Sequence, residues 1–148
     1  MYRSTKTFGH ELGLSACFRQ WRATESHCSK LHGYALAFTF VFEAKALDER
    51  NWVQDFGGLK QLKQLLVDRF DHKTMVAEDG PWKDELCGLT GLGLADVVVV
   101  PAAGCEAFAQ QAYTLAAMLY DTPRVRVVSC EVREHGANSA IYIGEKRE

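Results

Sequence analysis

Between Leu31 and Glu43 the chain reads LHGYALAFTFVFE, and nearly every position is apolar. On an extended chain Tyr34, Leu36, Phe38 and Phe40 share one face, and Ala35, Ala37, Thr39 and Val41 share the other. The aromatic and β-branched enrichment predicts a strand over 31–43. A strand apolar on both sides is covered on both sides. In a chain this small, one cover is expected to be a helix layer and the other a partner subunit or a barrel interior. The period then changes: Leu59, Leu62, Leu65, Leu66 and Phe70 fall at helical spacing within 57–70, with Lys60 and Lys63 on the wet side. Residues 80–95 hold several glycines and one proline and read as a loop-rich excursion. DVVVVP is a short buried strand ended by Pro101, and 105–120 is a second helix built from good helix formers. RVRVVSCEVRE alternates polar and apolar, HGAN turns, and SAIYIG returns as a terminal hairpin. The order β, β, α, short β, α, β, β predicts an α+β domain with an antiparallel sheet and helices on one face.

Composition narrows the class. A chain of 148 residues predicts one domain, spanning 1–148, with room for a substantial core. Hydrophobic residues make up 47% and charged residues 24%, as in ordinary globular proteins. A net charge of -2 gives no reason to expect nucleic acid or an anionic membrane as partner. No apolar run is long enough for a membrane span, and MYRSTKTFGHE lacks the apolar core of a signal peptide. The five cysteines are odd in number, irregularly spaced and without a CxxC pair, so reduced thiols in a cytoplasm are expected.

Four clusters place titratable groups beside turns or element ends. Cys28 precedes His32 by four residues; taken alone, a buried cysteine and a strand-start histidine account for the pair. Asp71 and His72 follow the Leu-rich helix, where a carboxylate can orient an imidazole and raise its basicity, although charged helix ends are common. Glu106 opens the second helix, and an acidic residue there complements the helix dipole without further function. Glu134 stands before the hairpin turn, where a lone glutamate is usually solvated.

The order and spacing of these clusters carry more than any one of them. CSKLHGY, VQDFGGLK, FDHKTM, EAFA and REHGANSAIYIG resemble motifs of the 6-pyruvoyltetrahydropterin synthase / 6-carboxytetrahydropterin synthase family. The family motifs are C-x-x-x-H-G-H, V-x-D-F-x-x-L-K, L-D-H, P-T-x-E-N and a terminal E-T hairpin ending Y-x-G. The resemblance covers most of the chain and fails over about residues 78–100. It implies a tunnelling fold: a four-stranded antiparallel sheet backed by two helices, joined edge to edge into a barrel, usually a homohexamer of two trimers. It implies Cys28 as the catalytic cysteine, Asp71 and His72 as its proton-transfer pair, Glu134 as the carboxylate that anchors a pterin or purine-like ring, and Glu106 as a helix-start residue beside the pocket. A carboxylate suits the anchoring role, since it accepts two parallel hydrogen bonds from a ring N–H and an amino group. Known members act as lyases on 7,8-dihydroneopterin triphosphate, and the 6-carboxytetrahydropterin branch implies queuosine biosynthesis.

The chain departs from the pattern at the metal. The resemblance implies zinc held by three histidines, one ending an F-x-A-x-H strand and two in H-G-H. Counting back from Cys28, the first ligand position falls on Cys17; the others fall on His32 and Tyr34. Cysteine is a good zinc ligand as thiolate, whereas a phenol with a pKa of about 10 is a poor one near neutrality. His10, His27 or His135 could complete the set. Otherwise Cys17 and Tyr34 fill the old cavity, with Tyr34 hydrogen-bonded to His32. Ala103-Gly104-Cys105-Glu106-Ala107 also lacks the Pro, Thr and Asn of the family's helix start. The expectation is a divergent 6-carboxytetrahydropterin synthase-like lyase; the alternatives are a non-catalytic pterin- or purine-binding homo-oligomer and a zinc-independent member acting on another substrate.

Overall fold

The computed structural model describes residues 1–146. Its strands are β1 (Tyr2–Phe8), β2 (Leu14–Phe18), β3 (His32–Ala44), β4 (Lys73–Ala77), β5 (Val97–Val100), β6 (Val125–His135) and β7 (Asn138–Ile143). Its α-helices are α1 (Lys60–Phe70), α2 (Lys83–Gly91) and α3 (Cys105–Tyr120).

β3 is the organising strand. Its second half pairs antiparallel with β1 on one side, and most of its length pairs with β6 on the other; β6 in turn pairs with β7. These four strands form the expected antiparallel set. The first half of β3 also pairs with β2, and β2 continues through parallel pairings to β4 and β5. The sheet is therefore mixed and seven-stranded, in the order β5-β4-β2-β3-β6-β7 with β1 joined to β3. This corrects the four-stranded antiparallel sheet expected from the sequence. There is also a third helix: α2 occupies the stretch read as a loop.

The even-numbered face of β3 meets the helix layer. Leu36, Phe38, Phe40 and Phe42 are fully buried there with Leu62, Leu66 and Phe70 of α1 and Phe108, Ala112 and Ala116 of α3. Phe70 touches both Phe38 and Phe108, with ring centroids 4.9 and 5.5 Å away, in the tilted and edge-on geometries that aromatic pairs favour. Fully burying a side chain of this size contributes on the order of 2 kcal/mol. Helix α2 buries none of its residues, so it owes its place to chain continuity and to β5 rather than to the core.

Loops are pinned by named polar contacts. Asp55 accepts from the Gly57 amide and starts the turn leading into α1. Arg124 donates to the carbonyls of Ala46, Trp52 and Val53, fixing the β3–α1 connection. No helix among the described residues is long and apolar enough to cross a membrane. All five cysteines are unpaired, as expected from their spacing.

Candidate functional site

The site begins at the β2–β3 ladder. Residues directly opposite on antiparallel strands point to the same side of the sheet. Phe18 is opposite His32, Ala16 is opposite Tyr34, and Cys17 is opposite Gly33. Phe18, His32 and Tyr34 thus share the helix-facing side. Their rings cluster: Phe18 lies 5.3 Å from His32 and 6.3 Å from Tyr34, and His32 lies 5.5 Å from Tyr34. Phe18 also stands edge-on to Phe108 of α3 at 5.1 Å. Gly33 has a steric reason to be glycine, because a Cβ there would stand 2.9 Å from the Ala16 carbonyl oxygen.

Glu134 lies on β6 beside this cluster. It accepts from Asn138 Nδ2 through Oε1 at 3.2 Å and from the Cys105 thiol through Oε2 at 3.8 Å. Both carboxylate oxygens are thus engaged, one from the hairpin and one from the first residue of α3. Cys105 is placed by Gly104, whose φ of 113° is open to glycine and whose added Cβ would strike the Gln20 amide. Burial, then the charges of Glu134 and Glu106, push the Cys105 thiol up to about 12, so it remains a proton donor to Glu134 at any ordinary pH. Glu106 itself is exposed in the first turn of α3.

Cys28 joins the same group. It lies in the 3-10 turn His27–Ser29, held by the Ser26 hydroxyl accepting from its amide. Its carbonyl accepts from the Gln20 amide, and the Gln20 side chain donates to the Ala103 carbonyl, tying this turn to the entrance of α3. Glu134, Cys28 and Cys105 all act on the Tyr34 phenol, which burial and these neighbours hold above its ordinary pKa. Cys28, Cys105 and Glu134 are therefore all near the Tyr34 phenol, and the His135 ring lies 5.8 Å from that of Tyr34.

Asp71 and His72 are a pair, but elsewhere. Asp71 Oδ1 accepts from His72 Nδ1 at 2.8 Å and from the Ser15 amide at 3.1 Å. His72 has a positive φ of 56° and is 83% exposed in its side chain. Asp71 is thus tethered at Ser15, while the Cys28 turn is tethered at Gln20. Ser15 and Gln20 are five positions apart along β2 and the chain just after it, at most on the order of 15 Å. Among the described residues no hydrogen bond joins Cys28 to Asp71 or His72, and each is tethered to a different point of the chain.

The expected zinc ligands are not brought together either. Cys17 faces the opposite side of the sheet from His32 and Tyr34, alongside Thr74, with which it shares a hydrogen bond. The position opposite His32 is Phe18, which offers no lone pair. Tyr34 keeps its proton, and His32 Nδ1 donates to the Lys30 carbonyl at 2.7 Å, leaving Nε2 as the one good donor atom of the three. The expected Tyr34–His32 hydrogen bond is also replaced, by an edge-on ring contact. Among the described residues no three His, Cys, Asp or Glu side chains converge on one point as a metal requires. The residues present do not fit a zinc ion.

Sequence reasoning missed Phe18, Asn138 and the thiol–carboxylate contact of Cys105. The first was discernible: L-S-A-C-F matches F-x-A-x-H in its alanine, which puts Phe18, not Cys17, at the histidine position. A cleft of about 880 Å³ lies at the far end of the sheet by Arg3, Glu43, Lys45 and Arg126, away from this cluster.

The sequence model described as 6-pyruvoyl tetrahydropterin synthase matches residues 9–145. No curated protein sequence gives a significant match. Among solved structures, an uncharacterized protein from Wolinella succinogenes is similar with a TM-score of 0.83 at 20% identity, covering 97% of this chain and 98% of that one. The 6-pyruvoyl tetrahydropterin synthase of Caenorhabditis elegans is similar with a TM-score of 0.64 at 15% identity, covering 97% and 94%. That of Plasmodium vivax gives 0.67 at 14% identity, covering 96% and 98%. At these identities the structures share a fold.

Proposed function

The chain belongs to the 6-pyruvoyl tetrahydropterin synthase family, and from that premise we propose that it is a pterin-processing protein of lyase type. It holds a pterin or purine-like ring on Glu134 and acts on the ring's side chain with protein acid–base groups, without zinc bound by Cys17, His32 and Tyr34. The observation that carries this reading is the Glu134 carboxylate, held at both oxygens beside two thiols and a phenol. A ring N–H and an exocyclic amine would take those two oxygens in parallel, displacing the long thiol contact. The substrate class is 7,8-dihydroneopterin triphosphate or a related ring. Cys28 is the base that removes a proton from the substituent, and Glu106 flanks the pocket.

The Asp71–His72 pair serves as proton shuttle if a second copy of the chain carries it to Cys28, since the chain's own pair is tethered at Ser15 and the Cys28 turn at Gln20. Strands β1 and β7 each pair on one side only, and their free edges suit such an assembly, with the homohexamer as its expected form. A cytoplasmic setting is in keeping with the five unpaired thiols. The same separation of Cys28 from His72 favours a second reading, a homo-oligomer that binds the ring without turning it over.

The test is direct. 7,8-Dihydroneopterin binding is measured by fluorescence titration for the parent and for Glu134→Ala, and turnover of the triphosphate is followed with a chelator present. Unchanged binding by Glu134→Ala would refute the ring anchor. Binding without turnover at any protein concentration selects the non-catalytic reading.

A further inference from the structure

We infer that Tyr34 is the residue that recognises the substituent of the bound ring, by donating its phenolic O–H to an oxygen on that substituent. The inference rests on the reading of Glu134 as ring anchor and adds the other end of the ligand to it.

The body of Tyr34 is fixed and its tip is not. Its ring packs among Phe18, His32 and His135, at centroid distances of 6.3, 5.5 and 5.8 Å. Its hydroxyl has no hydrogen-bond partner among the described residues. Tyr34 is half-buried, so its O–H is open to a ligand that enters beside Glu134. The groups that share its surroundings are Glu134, Cys28 and Cys105.

Strand register fixes the spacing. Ala37 pairs with Arg133, so continuing the ladder sets Leu36 against Glu134 on the helix-facing side. Tyr34 is two residues further along the same face, making it the diagonal neighbour of Glu134, on the order of 7 Å away between backbones. A bicyclic ring gripped by one edge on Glu134 presents its substituent from the opposite edge. A hydroxyl one neighbour removed along the strand is positioned for that substituent rather than for the ring's gripped edge.

The other groups on this face differ from the phenol in what they offer the substituent. Phe18 is apolar, and His32 spends Nδ1 on the Lys30 carbonyl. A metal at this place would bind vicinal hydroxyls by their oxygens. A phenol that keeps its proton instead supplies one directional donor, so it selects for an oxygen at one position.

The experiment compares two ligands in the presence of a chelator: neopterin, which carries a trihydroxypropyl side chain, and pterin, which carries none. Dissociation constants are measured on the full chain for the parent, Tyr34→Phe and Glu134→Gln. Tyr34→Phe keeps the aromatic ring and its packing, and thermal unfolding checks that it folds. The expected result is that Tyr34→Phe weakens neopterin about three- to tenfold, the loss of one hydrogen bond, and leaves pterin unchanged. Glu134→Gln weakens both. Equal weakening of both ligands by Tyr34→Phe, or no change in neopterin, overturns the role of Tyr34 while leaving the anchor standing. Unchanged affinities in Glu134→Gln with a selective Tyr34→Phe loss overturn the anchor and keep the substituent contact. A parent chain that binds neither ligand overturns both.

Discussion

Phe18 and His32 stand directly opposite each other on β2 and β3, with ring centroids 5.3 Å apart. That one pairing decides the character of the site. It sends Cys17 to the other side of the sheet, and it sets opposite His32 an apolar ring that also packs edge-on against Phe108. Positions 18, 32 and 34 share one face of the sheet, and only His32 offers a metal-binding atom there.

The geometry predicts that zinc binding can be built in. Phe18→His with Tyr34→His aligns three imidazoles on one face and is expected to bind about one zinc per chain. Cys17→His with Tyr34→His points one imidazole away and is expected to bind none. Phe18 is 2% exposed, so its replacement costs about 2–4 kcal/mol without metal; zinc binding then raises the melting temperature. Metal analysis of the two double variants decides the matter. Equal zinc in both, or none in the first, would show the register argument to be wrong.

Long periodic segments made most of the architecture legible. The both-faces-apolar strand, the helices α1 and α3 and the terminal hairpin follow from period alone. Helix α2 does not: it buries no residue, contains Gly88 and Gly91, and is preceded by Trp82 in a left-handed conformation. Strand β1 is largely exposed, and β4 is five residues following directly on a helix. At the site, the motifs singled out Glu134 and Cys28, and the fold sets both near Tyr34. The Cys105–Glu134 contact was not, because 29 residues separate the partners and only the tertiary fold unites them. Cys17 was misread because counting from Cys28 ignores the length of the intervening loop, whereas strand pairing does not.

Glu43 is a second point where the structure predicts a measurable asymmetry. It is 7% exposed and is bound by Arg3 Nε at 2.7 Å and Arg126 Nε at 3.0 Å. Those two hydrogen bonds hold its carboxyl below the usual range. Arg126 is itself mostly buried, whereas Arg3 is 60% exposed. Arg126→Ala is expected to cost about 2 kcal/mol, less than a fully enclosed pair because the adjoining cleft is open to water. Arg3→Ala is expected to cost under about 1 kcal/mol. Because the folded pKa is depressed, the Glu43 contribution is present at neutral pH and lost as pH falls through the carboxylate range. Denaturant unfolding at pH 7 and pH 4 checks both points; equal costs for the two arginines at pH 7 would count against the account.

Gly33 and Gly88 give opposite outcomes for the same substitution. In Gly33→Ala the new methyl meets the Ala16 carbonyl oxygen at 2.9 Å, and backbone in a paired strand cannot yield freely. The expected cost is about 1–3 kcal/mol, with weaker pterin binding as His32 and Tyr34 shift. In Gly88→Ala nothing lies within 4 Å and the residue is helical, so a gain of up to about 1 kcal/mol is expected. Chemical denaturation of the two variants reads the sign of each; a destabilised Gly88→Ala or a neutral Gly33→Ala contradicts the packing described.

Cys105 predicts how stability changes in alkali. Its thiol ordinarily titrates at 9.0 and is pushed up to about 12 in the fold, first by burial and then by Glu134 and Glu106. In the unfolded chain the thiol loses its proton from about pH 9 upward, while the folded chain retains it. The unfolded state therefore binds fewer protons over that interval, and stability falls as pH rises. The slope is about 1.4 kcal/mol per pH unit for each such thiol once pH is well above 9. Other groups that lose protons there, including the buried Cys130 thiol, are present in every variant. Comparing the parent with Cys105→Ala between pH 8 and 11 isolates one proton, and the variant is expected to show the shallower decline. Glu134→Gln removes the charge that helps hold the proton on, so Cys105 in that variant should react faster with iodoacetamide at pH 9. Parallel stability curves for the parent and Cys105→Ala would mean that the thiol is not the shielded donor to Glu134 that the site requires.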